Sequence, residues 1–250
     1  RDSNNGEQQL DELFSARGEA IDYIADGITE PDTFSPRCDL TATLLMHEAG
    51  SSIAVGWYNS DPAATVAPAA SEIFEIVPSD APLDTTFDAA AIRSDPRYTG
   101  GDIGFALMRS PAHFTESRFN PECQAGGFLG FSPCASTAPW ILAVTYRSTL
   151  LPNAYYVAFE DGNTSSTNFG NDGDYNDYVF LFEGLSCAGA GEPCSVDGAF
   201  GACVEGVLDC DALGQLTCQP LVEPSAEQCD GFDNDCDGET DEGDDLCEVG

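Results

Sequence analysis

The spacing of apolar positions changes along the chain. Leu10, Leu13, Phe14, Ala20, Ile21 and Ile24 recur at roughly helical intervals after a polar opening, Arg1 to Gln9. This predicts an amphipathic helix that starts near Asn5 or Gly6 and stops at Gly27, with Gly18 weakening its middle. Beyond Pro36 the apolar runs become short and predict strands. They are Leu40–Met46, Ser52–Tyr58, Ser71–Val77, Ile103–Met108, Phe128–Phe131, Trp140–Tyr146, Ala154–Phe159 and Tyr178–Phe182. Turn residues separate them, as in Asn59-Ser60-Asp61-Pro62, Tyr98-Thr99-Gly100-Gly101 and Leu151-Pro152-Asn153. Short strands with this punctuation and no alternating helices predict an all-β chain, a β-sandwich with a short N-terminal helix. The run Tyr178-Val179-Phe180-Leu181-Phe182 is apolar on both faces, as a central strand requires.

The pattern stops near Cys187. From there to Gly250 the chain holds eight of the eleven cysteines and seventeen Asp and Glu, no Arg, Lys or His, and only Phe200 and Phe232 as aromatics. So little apolar surface requires covalent or ionic cross-links to fold. The expected organisation is a polar segment with a short helix over 1–34, a β-sandwich over 35–186, and a small disulfide-rich, metal-stapled tail over 187–250.

Charge narrows the function classes. Asp and Glu number 44 against 8 Arg and no Lys, for a formal net charge of -36. Nucleic-acid phosphate and anionic membrane surfaces both call for the opposite sign. No apolar run of about 18 residues occurs, so no membrane insertion is expected. Eleven cysteines fit an oxidising compartment. The expectation is a mature secreted protein of the extracellular space or cell surface.

Two acidic constellations carry candidate chemistry. In the first, Glu160 and Asp161 end one apolar strand, and Asp172, Asp174, Asn176 and Asp177 lead into the next. A hairpin would bring these oxygens to one end of a sheet, with no Lys or Arg nearby in sequence to offset them. Ca²⁺ takes six to eight oxygen ligands of this kind. The stretch Phe159-Glu160-Asp161, a polar gap, then Asp172-Gly173-Asp174-Tyr175-Asn176-Asp177-Tyr178-Val179-Phe180 resembles the end of a secreted bacterial domain-of-unknown-function family, numbered 4114, found in large surface adhesins. Gly56-Trp57-Tyr58-Asn59 and Ile103-Gly104-Phe105-Ala106-Leu107 extend the resemblance over roughly residues 35 to 185. It implies a calcium-binding β-sandwich without catalytic activity.

The second constellation lies in the tail. Asp233, Asp235, Asp237, Asp241 and Asp244 occupy positions 1, 3, 5, 9 and 12 of a calcium-loop register, with Gly238 at position 6 and the Glu239 carbonyl at position 7. Asp230 precedes it, and Glu242 lies within it at position 10. Asp at the last position resembles thrombospondin type 3 repeats. The segment Pro224–Gly243, with Glu227, Cys229-Asp230-Gly231 and Cys236, also resembles the metal-binding repeat named after MopE, a secreted bacterial copper protein. Gly201-Ala202-Cys203, Gly206, Cys210, Leu216 and Cys218 continue that resemblance. The residues themselves favour Ca²⁺, because copper prefers imidazole, thiolate or thioether ligands. The chain has only His47, His113, Met46 and Met108 of those types outside its cysteines.

The tail cysteines lack a Cys-x-x-Cys pair, which favours disulfides over zinc. In the β domain Cys123 and Cys134 are expected to bridge a loop. That leaves Cys38 free, paired across the boundary, or paired with another chain. No Gly-x-Ser-x-Gly elbow, His-Glu-x-x-His, Walker A or Rossmann fingerprint occurs, so no enzyme is expected.

The leading expectation is a secreted calcium-binding structural or adhesion protein of a bacterial surface or matrix, with calcium as its ligand. A carbohydrate-binding module, stacking surface glycans on Trp57, Tyr58, Trp140 or Tyr175, and a copper or transition-metal capture protein stay open. On assembly two readings also stay open: copies of the chain joined in a filament, and a monomer or one module of a surface array.

Overall fold

The computed structural model describes residues 7–36, 39–123, 137–162, 164, 173–185, 192–210 and 216–243, without the side chains of 202, 210 and 216. The chain divides into two units, residues 1–185 and 186–250.

The first unit contains the helices α1 (Leu10–Ala16) and α2 (Ala89–Arg93). Its strands are β1 (Thr41–Met46), β2 (Val55–Asn59), β3 (Phe74–Val77), β4 (Thr86–Asp88), β5 (Ile103–Leu107), β6 (His113–Phe114), β7 (Glu122–Cys123), β8 (Ala138–Pro139), β9 (Ala143–Arg147), β10 (Tyr155–Phe159) and β11 (Tyr178–Glu183). A five-stranded sheet runs β4-β1-β11-β10-β9 and a four-stranded sheet runs β3-β2-β5-β6, with antiparallel pairing throughout. β7 and β8 form a separate two-stranded ladder.

Alternation across the pleat sorts the apolar residues into layers. Leu40, Ala42, Leu44, Val157, Phe159, Phe180 and Phe182 share one buried cluster with Val55, Trp57, Phe105 and Leu107 of the other sheet. That cluster is the sandwich core. The alternate residues Tyr156, Ala158, Val179 and Leu181, with Met46 beyond an irregularity in β1, form a second cluster with Leu10, Leu13 and Phe14 of α1. Both faces of β10 and β11 are therefore covered, which explains their continuous apolar sequence. Phe14 meets Tyr146 and Tyr156 edge to face at 5.1 and 5.0 Å.

The helix is shorter than its periodicity predicts. It ends at Ala16, and Gly18 takes φ +77°. Gly18 N–H donates to Ser15 O and Glu19 N–H to Phe14 O, the pair of bonds that closes a helix through a left-handed glycine. Beyond it the chain follows the sheet edge, where Ile28 exchanges two backbone hydrogen bonds with Thr145 of β9. Ile24, assigned to the buried helix face, is exposed. The short β4, β6, β7, β8 and α2 carry too few residues to show a period and are additions to the predicted set. The expected strand Phe128–Phe131 lies outside the described residues.

The second unit contains a three-stranded antiparallel sheet, β12 (Pro193–Ser195), β13 (Glu205–Cys210) and β14 (Leu216–Pro220), in that order. The Cys194–Cys218 disulfide joins its outer strands. The bridge passes over Gly206 of β13, where an added Cβ would lie 2.7 Å from Cys218 Sγ. A second disulfide joins Cys203 and Cys236, and Cys229 is also disulfide-bonded. Cys123 of the first unit is disulfide-bonded as well, while its expected partner Cys134 and Cys38 lie outside the described residues. The three apolar clusters among the described residues all belong to the first unit. No helix among the described residues is long and apolar enough to cross a membrane.

Glu19 secures the N-terminal segment to the β9–β10 hairpin. Its carboxylate accepts hydrogen bonds from Ser148 Oγ at 2.6 Å, Thr149 N at 2.7 Å, Thr149 Oγ1 at 2.6 Å and Tyr156 OH at 2.9 Å. Burial raises its pKa, but these four bonds to the ionised form outweigh it and hold the group below the usual glutamate value. The resulting stabilisation is complete above the unfolded-state pKa and lost as pH falls through the lowered folded one. Glu19→Ala should cost about 1.5–3 kcal/mol in urea unfolding at neutral pH. The difference from wild type should shrink in acid.

Candidate metal centre

The tail after β14 has almost no regular backbone pairing, so its N–H groups need other acceptors. Its carboxylates supply them. Glu227 Oε1 accepts from Asn234 N at 2.5 Å and Asp235 N at 2.7 Å, and Oε2 from Asp241 N at 3.0 Å. Asp233 Oδ2 accepts from Gly238 N at 3.0 Å, Asp235 Oδ1 from Asp237 N at 3.2 Å, and Asp237 Oδ1 from Glu239 N at 2.9 Å. Asp230 Oδ1 accepts from Phe232 N at 3.0 Å. Short acidic side chains bonding to backbone a few residues on are the local reason these sequences turn.

Coiling the loop around its own acids brings ligand atoms together. One oxygen each from Asp233, Asp235 and Asp237 lie within 4.8 Å of one another, as do oxygens of Glu227, Asp235 and Glu242. Asp235 belongs to both triads. Asp233 is 6 % exposed, and its Oδ1 is buried without a hydrogen-bond partner. Glu242 Oε2 is likewise buried and unpartnered. The Glu242 pKa is raised: its own backbone hydrogen bond lowers it, but burial and the charges of Glu227, Asp237 and Asp235 prevail. A carboxylate oxygen without water, donor or counter-charge is costly, and a cation removes that cost.

The expected loop residues do not all converge. Asp233, Asp235, Asp237 and Glu242 enter the triads. Asp241 instead accepts from Asp230 N at 2.9 Å and Gly231 N at 3.0 Å, so Asp230 and Asp241 close a neighbouring turn. Glu239 is exposed, and Asp244 lies outside the described residues. Glu227 was not among the expected ligands. It precedes the calcium-loop register, and only the folded chain returns it to the loop.

The wall of the site comes from a distant segment. An added Cβ on Gly201 would lie 2.5 Å from Asp233 Cβ, and one on Gly238 would lie 3.2 Å from the Phe200 ring. Gly201 has φ +54°, which together with this contact leaves no room for a side chain.

At the acidic end of the sandwich, Glu160 is fully buried and its Oε1 accepts from Tyr175 N at 2.7 Å. Asp161 N donates to Asp177 Oδ2 at 2.5 Å. Asp174 and Asn176 are buried, and Asn176 Nδ2 donates to Gln8 O at 3.0 Å. The two strand ends do meet there, and Asp172 lies outside the described residues. The acidic triads found among the described residues both lie in the tail.

Neither histidine belongs to a triad. His47 stacks on Tyr178 at 4.3 Å. His113 is fully buried with Nδ1 2.6 Å from the Glu160 carbonyl oxygen. Burial lowers its pKa to about 4, against the raising effect of that hydrogen bond and with the Arg109 charge adding to the drop.

Fold and site together define a β-sandwich unit and a disulfide-bonded acidic unit whose loop gathers carboxylates around unpaired oxygens. Compared with known families, curated proteins and solved structures, the chain matches no family model, no curated protein and no solved structure.

Gly201→Ala should displace Asp233 and destabilise the tail by about 1–3 kcal/mol, the usual cost of overpacking. Gly198→Ala is the control, since Gly198 also has a positive φ, +79°, but open space around it. Gly198→Ala carries the backbone strain alone, so limited proteolysis should cut the tail faster in Gly201→Ala than in Gly198→Ala.

Proposed function

We propose that the chain is a secreted calcium-binding structural or adhesion protein of a bacterial surface or matrix, with an acidic tail that folds around cations. The observation that carries this reading is the buried, unpartnered Oδ1 of Asp233, in a triad with Asp235 and Asp237. From Cys187 onward the chain contains no Arg, Lys or His, so no basic residue of the tail neutralises the triad, and a bound cation would. All the offered atoms are carboxylate oxygens, which suit a hard ion such as Ca²⁺ better than copper. The likeness of the spacing to thrombospondin type 3 loops supports the same choice. Disulfides in both units support an oxidising, extracellular setting. Calcium here is structural: it closes the loop and performs no reaction. Sugar stacking receives less support, because Trp57 and Tyr58 lie in the core.

Calcium titration of the chelated protein by calorimetry, with thermal unfolding beside it, tests the reading. A ligand that binds only the native state at 100 times its Kd adds about 2.7 kcal/mol to the unit it binds. Calcium should therefore raise the melting temperature and protect the tail from protease. Asp233→Asn should abolish that protection and leave the sandwich intact. Absence of calcium heat and of tail protection would sink the calcium reading. Retention of copper in preference to calcium would replace it with metal capture.

A further inference from the structure

Cys236 lies between Asp235 and Asp237, two members of the triad that contains Asp233. Its disulfide partner Cys203 is buried and 33 residues away. Cys203 sits in the 3-10 turn Gly201–Val204, directly after Phe200. These are the residues that wall the site: Gly201 presses on Asp233, and the Phe200 ring covers Gly238, whose N–H donates to Asp233 Oδ2. The bridge thus ties the ligand loop to the segment that takes Asp233 out of water.

Cys236 also adopts φ 66°, a left-handed conformation that disfavours a side-chain-bearing residue. Such a conformation persists where its surroundings hold it. Few forces do so here. The side-chain hydrogen bonds of the loop run between residues of 227–241 themselves, and no apolar cluster lies beneath it among the described residues. A like-charged triad tends to open unless something closes it.

The geometry points to Cys203 and Cys236 as the positioning residues of the tail's cation site, which makes the site close only while their disulfide is intact. The inference rests on the calcium reading above and adds its regulation by redox state. Opening the bridge needs an external dithiol. One thiolate attacks a bridge sulfur to give a mixed disulfide, and the second thiolate displaces it. Cys203 and Cys236 leave as thiols, while the dithiol is oxidised to its own disulfide. Without the bridge, Cys236 can leave its left-handed conformation, Asp235 and Asp237 separate, and the Phe200-Gly201 wall comes away from Asp233. Linkage makes the effect reciprocal: the factor by which the bridge tightens cation binding is the factor by which the cation disfavours reduction. The Cys194–Cys218 bridge joins two strands and contains no triad neighbour, so it serves as an internal control.

The experiment uses the full chain with dithiothreitol as reductant, in calcium or in chelator. Thiols are trapped with iodoacetamide over time and located by peptide mass spectrometry. Calcium at about ten or more times its Kd should slow the opening of Cys203–Cys236 about tenfold or more, because the dithiol reaches that bridge through the open, ion-free loop, and leave Cys194–Cys218 nearly unchanged. In parallel, the double variant Cys203→Ser, Cys236→Ser should bind calcium in the tail about tenfold or more weakly by calorimetry. Equal opening rates with and without calcium overturn the inference, and so does equal protection of both bridges. If wild type takes up calcium in the tail and the bridge is indifferent to it, only the positioning role falls. If wild type takes up none there, the calcium reading falls and carries this inference with it. A double variant that fails to fold leaves the wild-type reduction rates to decide.

Discussion

Asp233 presents a carboxylate oxygen to the interior of a segment that contains no basic residue. An ionised group in that position must find a counter-charge, regain water or become protonated. Gly201 lies directly on Asp233, the Phe200 ring beside it packs on Gly238 of the loop, and the tail contains no basic residue to meet the charge. Much of the tail's geometry follows from this conflict. The backbone N–H groups of the loop turn inward to the carboxylates as partial positive charges. They satisfy Glu227, Asp241 and one oxygen each of Asp233, Asp235 and Asp237, and leave the second oxygen of Asp233 unanswered.

The two units solve the problem of folding by different means. The sandwich buries aromatic and aliphatic side chains on both faces of β10 and β11, so the hydrophobic effect acts across two layers. Buried polar groups join its segments, as Glu19 ties the N-terminal segment to the β9–β10 hairpin. Among the described residues of the tail the buried side chains are those of Cys203 and Asp233, one a disulfide sulfur and the other a charge. Cross-links do there what a core does elsewhere, by removing freedom from the unfolded chain. A cation that held only the closed loop would act similarly, adding its binding free energy to folding.

Much of the sandwich was legible because a strand's side chains alternate with period two and its ends carry turn residues. The central place of β11 follows from the unbroken run Tyr178 to Phe182. Helix length was misread at one residue. Leu10, Leu13 and Phe14 do form a buried face, but Gly18 ends the helix there, and the later Ile21 and Ile24 only imitate its spacing. The short strands β6, β7 and β8 were illegible for a different reason: two residues cannot display a period. They exist because a partner strand holds them, β5 for β6, and β7 and β8 for each other.

In the tail, sequence by itself determined the ligand types, the loop spacing of Asp233, Asp235 and Asp237, and the need for cross-links, because these depend on composition and on neighbours along the chain. It also determined the absence of any internal counter-charge. Only tertiary structure decided which acids meet. Asp241, at a ligand position in the register, turns to the Asp230-Gly231 backbone, whereas Glu227, outside it, arrives beside Asp235 and Glu242. Tertiary structure also joined Cys203 to Cys236 and laid Gly201 on Asp233. The physical reason is range. A carboxylate's nearest backbone donors are set by local turns, but the neighbours that exclude water from it come from wherever the chain folds back.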